Sequence, residues 1–293
     1  MKTLIIKLGA TGDVVRTTSL LRVLKGEIHW LTSDMNAVML AGIPEITRLV
    51  AWKDKERLRT ERYGRVINLE DSQEVGVFLS SLRYDDIYGA HMDKRGNLTY
   101  TENASQWFDL SLISRFGKAK ADELKYRNRQ TYQELVFRGL GHTFNGESYC
   151  LPGSIRGELT GDVAIANNCG SVWPMKNWAY YKDLKERLEG HGMSVNFLPQ
   201  RDSILEHIGD IQNHRFLISG DTLPMHIALG SGLKCLTVFT CTSPWEIYDY
   251  GLQKQVVSPC LGEFFYKRTF DVKATTAISL ADVFEKVLSH YSR

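Results

Sequence analysis

Short apolar runs alternate along the chain with segments of helical periodicity, and this alternation is the strongest constraint on the fold. The runs TLIIKL (3–8) and EIHWLTS (27–33) predict buried strands. The segments after them, VVRTTSLLRVLK (14–25) and DMNAVMLAG (34–42), predict helices. Alternating strands and helices are typical of a parallel sheet with crossover helices, so the sequence predicts an α/β protein.

The same pattern restarts in the second half, after a glycine-containing segment that we interpret as a linker, SYCLPGSIRGELTGD (148–162). The chain has 293 residues, which exceeds one typical domain. We therefore predict an N-terminal Rossmann-like domain over 1–153, a second such domain over 154–275, and a C-terminal helix within 276–293. Two domains of this kind imply a cleft between them, where ligands would bind beyond the carboxyl ends of the strands.

Within the first half, the chain is polar and irregular from about 85 to 130, and we interpret this long excursion as a binding loop. The predicted elements of the second half follow in chain order. The strands are VAIANNC, MSVNFLP, RFLIS and KCLTVFT, and the helices are NWAYYKDLKERLEGHG, SILEHIGDI, LPMHIALGSG and ISLADVFEKVLSHY, the last with Ser279 as its cap.

Composition excludes several classes of function. The chain is 43% hydrophobic and 24% charged, as in ordinary globular proteins, and its net charge of +2 gives no reason to expect a nucleic-acid partner. The apolar run between Lys2 and Lys7 is too short for a signal peptide, and no run approaches the ~20 residues of a membrane span. We therefore expect a cytoplasmic protein.

The five cysteines are scattered and lack the spacing of a zinc site, so free thiols are expected: Cys150, Cys169, Cys235, Cys241 and Cys260.

The stretch RFLISGDTLPMHIALGSG (215–232) passes from a strand through a polar turn into a helix. Asp221 or Thr222 would cap this helix, because short side-chain oxygens accept bonds from first-turn amides. A helix start with free amides attracts phosphate. The amides in question are those of Leu223, Met225 and His226. A capped helix with His226 as a core histidine is the structural alternative.

Two further loops leave strands and carry candidate residues. Asp13 in LGATGDVVRTT (8–18) is either an N-cap or a general base that takes a proton from an acceptor hydroxyl. Lys176 in NNCGSVWPMKNWAYY (167–181) is either a solvated surface lysine or a phosphate ligand. Neither the G-x-G-x-x-G fingerprint nor the G-K-[ST] of a P-loop is present in the first loop.

Four segments together resemble the ADP-heptose:lipopolysaccharide heptosyltransferases, glycosyltransferase family 9. They occur in the family's order over nearly the whole chain. The segments are LGATGDVVRTTSLLRVLK, SVWPMKNWAYYKDLKERL, SGDTLPMHIALGSGLKCLTVFTCTSPWEIYDYG and ISLADVFEKVL. The third segment, with its D-T-x-x-M-H pattern and T-x-P turn, is the most specific. The resemblance implies an α/β GT-B fold, with two Rossmann-like domains facing each other across a cleft.

The resemblance also implies roles for single residues. Asp13 falls on the family's catalytic base, Lys176 on its diphosphate-contacting lysine, and Asp221, Thr222 and His226 on its donor-binding motif. Leu223 replaces a glycine that many members have at that place. For the donor base or ribose, the local candidates are Gln200 and Arg201, with Asp202 beside them. Only Cys260 remains of a cysteine cluster found in some relatives, so no metal or other cofactor is expected.

The implied activity is inverting transfer of heptose or a related sugar from a nucleotide diphosphate sugar, with ADP-heptose as the expected donor. The acceptor would be a glycan or a lipopolysaccharide-core precursor at the inner face of the membrane. Any membrane contact would be peripheral, through RLRTERYGR (57–65), which could equally be a solvated surface. The alternatives are a UDP-sugar transferase or epimerase of the same architecture, and a non-catalytic relative that binds a nucleotide or a glycan.

Overall fold

The computed structural model describes residues 1–155 and 157–291. The chain divides into two compact units, Met1–Pro152 and Gly153–Arg293. Arg156 of the predicted linker, and Ser292 and Arg293 of the predicted C-terminal segment, lie outside the described residues.

The first unit contains a six-stranded sheet in the order β3-β2-β1-β4-β5-β6, parallel except for β6, which runs antiparallel to β5. Its strands are β1 Lys2–Ile6, β2 Glu27–Thr32, β3 Arg48–Ala51, β4 Arg62–Asn68, β5 Arg83–Met92 and β6 Leu98–Tyr100. Its α-helices are α1 Thr11–Thr17, α2 Gln73–Leu79, α3 Ser105–Phe108, α4 Lys118–Arg127 and α5 Tyr132–Gly139. Short 3-10 turns cover Thr18–Arg22, Ala37–Met39, Trp52–Leu58 and Glu102–Ala104.

Both faces of this sheet are buried, which explains why β1 is a continuous apolar run rather than an alternating one. Leu4 and Ile6 point to one side, where they pack in a cluster with Phe78 of α2. Ile5 points to the other side and packs in a second cluster, which contains Trp30.

The second unit contains a five-stranded, fully parallel sheet in the order β11-β10-β9-β7-β8. Its strands are β7 Gly161–Ala166, β8 Val195–Phe197, β9 His214–Gly220, β10 Cys235–Phe239 and β11 Gln253–Val257. Its α-helices are α6 Tyr181–Glu189, α7 Ile204–Gln212, α8 Leu223–Gly230, α9 Leu261–Phe264, α10 Val272–Thr276 and α11 Leu280–Tyr291. A 3-10 turn covers Pro174–Lys176.

Strand order locates the place in each sheet where a ligand would bind. Open α/β sheets bind ligands beyond the carboxyl ends of the strands, where the strand order reverses direction. In the first unit this switch point lies between β1 and β4, and in the second it lies between β7 and β9. A ligand would therefore contact the loops after β1 and β4 in the first unit, and those after β7 and β9 in the second.

The α/β class predicted from the sequence is confirmed, two local predictions are wrong, and one strand was not predicted. The predicted helix over 34–42 is only the 3-10 turn Ala37–Met39, since Met35 and Val38 are exposed and form no buried face. The stretch 85–130 is not an irregular loop, because it contains most of the β5–β6 hairpin and the helices α3 and α4. The hairpin turn is closed by Asp93, which accepts from the amides of Arg95 and Asn97. The edge strand β11 was not predicted, because only Gln253 and Val256 of its residues are buried, which gives neither an apolar run nor an alternating pattern. Within the described residues, no helix is both long and apolar enough to cross a bilayer.

Candidate active site

Lys176, Asp221 and Thr242 form a buried polar cluster in the second unit. The Lys176 ammonium donates to the Asp221 carboxylate at 2.9 Å and to its backbone carbonyl at 2.6 Å. The Thr242 hydroxyl donates to the same carboxylate oxygen at 2.7 Å. The Lys176 and Asp221 side chains are each only 15% exposed, so neither is a solvated surface group.

Local structure explains why these residues meet. Lys176 ends the 3-10 turn after β7, and Asp221 directly follows β9, so the two residues flank the switch point. The Met175 carbonyl accepts a bond from the Thr240 hydroxyl at 2.5 Å, which fixes the turn against the end of β10. A Cβ atom at position 220 would lie 2.7 Å from the Lys176 carbonyl oxygen, so this close approach requires Gly220.

The environment keeps Asp221 ionised. Burial by itself would raise the pKa of the carboxyl group. The positive charge of Lys176, the nearby His226, and the hydrogen bonds from Lys176 and Thr242 outweigh burial and lower the pKa below its ordinary value. The cluster is therefore a lysine–carboxylate ion pair in which two of the three lysine N–H groups are occupied, which leaves one N–H for a ligand.

The start of α8 differs from the sequence-based prediction in two respects. Thr222 occupies the N-cap position, but its side chain makes no capping bond to the helix. The Met225 amide donates to the Thr222 carbonyl at 3.1 Å, because the first turn is tightened, so this predicted phosphate-binding amide is already engaged. Leu223 is the first helical residue, and His226 is buried at 5% exposure within α8.

Asp13 lies in the first turn of α1, whose N-cap residue is Ala10, so Asp13 is not the capping residue. Its carboxylate is 37% exposed and pairs with the Arg16 guanidinium at 2.9 Å. Arg16 is itself buried, with its guanidinium carbon 4.1 Å from the centre of the Tyr132 ring. A stacked arginine of this kind is held in one position, and it fixes the carboxylate that it pairs with.

The loop that leads to Asp13 is held from the neighbouring strand. Glu70 follows β4 and accepts from the Lys7 ammonium at 2.7 Å and from the amides of Leu8 and Gly9 at 2.8 and 3.3 Å. Asn36 donates to the Leu8 carbonyl at 2.7 Å from the other side. The switch point of the first unit is therefore a preorganised polar loop that presents an anchored carboxylate.

The other sequence candidates have different surroundings. Gln200 is exposed, whereas the Arg201 guanidinium makes two bonds to the fully buried Asp210, at 2.7 and 3.2 Å. That pairing compensates a buried charge, which is a structural role. The arginines of 57–65 all pair with carboxylates, namely those of Asp54, Glu56, Asp85 and Asp86. In the described part of the chain, no group of three or more His, Cys, Asp or Glu side chains is placed to hold a metal ion.

Sequence reasoning missed Glu70, Arg16 and Thr242 as parts of these sites. Glu70 and Thr242 each lie just beyond the carboxyl end of a strand, and Thr242 opens the T-x-P turn of the sequence. A position just beyond the carboxyl end of a strand is therefore the sequence feature that could have identified both residues. No local sequence pattern indicates the stacking of Arg16 on Tyr132, because the two residues are far apart in the chain.

No protein-family model and no curated protein matches the chain, but solved structures match it over its whole length. The E. coli heptosyltransferase WaaC with ADP is 15% identical, covers 99% of this chain and 100% of its own, and has a TM-score of 0.64. A glycosyl transferase family 9 protein from Veillonella parvula is 16% identical, with coverages of 99% and 97% and a TM-score of 0.70. The E. coli ADP-heptose lps heptosyltransferase II is 16% identical, with coverages of 100% and 99% and a TM-score of 0.63. At these identities the likeness establishes the fold, and the chain has the GT-B type of α/β fold that these glycosyltransferases share.

Proposed function

We propose that this protein is an inverting glycosyltransferase that uses a nucleotide diphosphate sugar as its donor. The observation that carries the proposal is the Lys176–Asp221–Thr242 cluster, which lies at the switch point of the second unit. The GT-B fold supports the reaction class, and one of the structural neighbours is a heptosyltransferase with ADP. We infer ADP-heptose as the donor from the family resemblance, and a glycan or a lipopolysaccharide-core-type molecule as the acceptor.

In the proposed reaction, the acceptor hydroxyl oxygen attacks the anomeric carbon from the face opposite the diphosphate. The hydroxyl proton passes to the Asp13 carboxylate, which Arg16 holds in place. The bond between the anomeric carbon and the diphosphate oxygen breaks, and nucleoside diphosphate leaves with the electron pair. The remaining N–H of Lys176 and the amide of Leu223 stabilise the charge that develops on the leaving group.

The test is calorimetric titration of ADP, UDP, GDP and adenosine into the wild type and a Lys176→Ala variant. We expect one diphosphate to bind and Lys176→Ala to weaken it by about ten- to a hundredfold, because charge-assisted bonds to phosphate contribute about 1.5–3 kcal/mol. Adenosine binding should hardly change. Equal weakening of ADP and adenosine, or no binding of any diphosphate by the wild type, would refute the proposal.

We further propose that turnover needs no metal ion, because the Lys176 ammonium and the α8 start supply hydrogen-bond donors to the phosphate from the protein itself. EDTA should therefore leave the rate of nucleoside diphosphate release unchanged. A strict requirement for added manganese or magnesium would point to a different class of transferase.

A further inference from the structure

The net charge of the Lys176 cluster is too small for its proposed ligand. Lys176 is paired with the ionised Asp221, so together these two side chains contribute no net charge. A nucleoside diphosphate carries about two to three negative charges at neutral pH, since its terminal phosphate ionises near pH 6. A second cation is therefore required at the carboxyl edge of this sheet.

Arg268 satisfies this requirement by its position. It is exposed and lies in the loop after β11, between α9 and α10. Its guanidinium contacts an aromatic ring, with the guanidinium carbon 5.0 Å from the centre of the Trp173 ring. An arginine held by stacking keeps its planar set of donors for a phosphate.

The order of the sheet places this contact over the candidate site. Trp173 belongs to the loop after β7 and Arg268 to the loop after β11, and β9 and β10 lie between those two strands. Both loops leave the carboxyl edge of this parallel sheet, and the amide of Tyr266, two residues before Arg268, bonds to the carbonyl of Cys241 just beyond β10, so the contact lies on the carboxyl side of β9 and β10. Those ends carry Asp221 and Thr242.

The turn that carries Arg268 is held in an unfavourable backbone conformation. Tyr266 has a φ of 51°, which is uncommon for a residue with a side chain. Its amide donates to the Cys241 carbonyl at 2.8 Å, and its ring packs edge-on against Trp173 with ring centres 5.5 Å apart. Strain of this kind persists only where the surroundings impose it, and it is commonest at ligand sites.

We propose that Arg268, seated on Trp173, is a second donor-phosphate ligand and supplies the net positive charge that the Lys176–Asp221 pair lacks. This inference rests on the proposed function, because it assumes a diphosphate at the Lys176 cluster. Trp173 then acts as a positioning residue, and Lys176 and Arg268 act on the phosphate together.

The test is titration of the diphosphate that the wild type binds best, and of its nucleoside, into Arg268→Gln, Trp173→Leu and the double variant. We expect Arg268→Gln to weaken diphosphate binding about tenfold, to reduce its salt dependence and to leave nucleoside binding unchanged. Trp173→Leu should weaken diphosphate binding less, and the double variant should be no weaker than Arg268→Gln alone. Thermal unfolding of each variant verifies that it is folded.

Arg215→Gln is the matched control, because Arg215 is a 78%-exposed arginine at the opposite, amino end of β9. It should bind the diphosphate like the wild type. Binding by Arg268→Gln within twofold of the wild type, together with a loss in Lys176→Ala, would overturn the role of Arg268 alone. Failure of the wild type to bind any diphosphate would overturn the proposed function as well.

Discussion

At the scale of single residues, Asp13 and Asp54 each form an ion pair with an arginine, but only the arginine that pairs with Asp13 is itself held by packing. Each carboxylate pairs with an arginine three residues later, and their exposures are 37% and 39%. Arg57 is 70% exposed and can leave its partner freely, whereas Arg16 is 8% exposed and stacked on Tyr132. The geometry of Asp13 is therefore fixed by packing, as expected for a group that must meet a reacting hydroxyl.

This contrast provides a matched pair of variants. We expect Asp13→Asn to release nucleoside diphosphate at least ~100-fold more slowly than the wild type, because an amide cannot accept the acceptor proton. Its donor affinity and thermal stability should be close to those of the wild type. Asp54→Asn, which removes an equally exposed carboxylate, should retain full turnover. Near-normal turnover in Asp13→Asn would remove Asp13 from the mechanism.

Asp221 should make stability depend on pH in the acid range. Its folded-state pKa lies below its ordinary value of 3.8, so its ionised form stabilises the fold above that value. That contribution is lost as the pH falls through the folded-state pKa. We expect urea unfolding to show a stability gap between the wild type and Asp221→Asn that is largest at neutral pH and narrows below about pH 4.

The control for this pH effect is Asp282→Asn, which removes an exposed carboxylate from the first turn of α11. At neutral pH this variant should lose far less stability than Asp221→Asn, because its carboxylate is not buried against a lysine. A gap between the wild type and Asp221→Asn that stays constant from pH 7 to pH 3 would show that the carboxylate charge does not stabilise the fold.

At the scale of the helices, α5 and α8 begin with the same residue type in different ways. Thr131 accepts a bond from the Glu134 amide, and the Glu134 carboxylate accepts from the Thr131 amide, which completes a capping box. Thr222 stands at the equivalent position of α8 without a side-chain bond to the helix. The two helices therefore depend differently on their first threonine.

Alanine substitutions should reveal this difference. We expect Thr131→Ala to lower the free energy of unfolding by about 1 kcal/mol, whereas Thr222→Ala should lower it by at most a few tenths. The sequence alone predicts that Asp221 or Thr222 caps α8, and therefore a loss of about 1 kcal/mol in Thr222→Ala. Chemical denaturation of the two variants measures the difference, and an equal loss would mean that Thr222 caps α8 after all.

Elements with a continuous apolar run were the ones that sequence could predict. β1, β2, β7, β9 and β10 overlap the predicted runs, because burial on both faces leaves few polar positions. Asp13, Lys176 and Asp221 were singled out because they follow such strands. The other parts of the two sites depend on contacts between distant segments, which no local sequence pattern indicates. Examples are the bonds from the 7–9 loop to Glu70 and the bond from Thr242 to Asp221.

At the scale of the whole molecule, each unit has its own sheet and its own hydrophobic core. The proposed donor groups belong to the second unit, and the proposed base belongs to the first. A nucleoside diphosphate without an acceptor should therefore act on one unit alone. It should raise the unfolding temperature in proportion to its affinity, since only the folded state binds it.

Hydrogen exchange read by mass spectrometry can locate this effect. With a saturating nucleoside diphosphate, we expect slower exchange in peptides that cover 167–180 and 219–226, because bound phosphate restricts the loops after β7 and β9. Peptides from the 7–17 loop and α1 should exchange as in the free protein. Lys176→Ala, measured at the same ligand concentration, should lose most of the protection. Protection confined to the first unit would place the nucleotide at the Asp13 loop instead and reverse the assignment of donor and base to the two units.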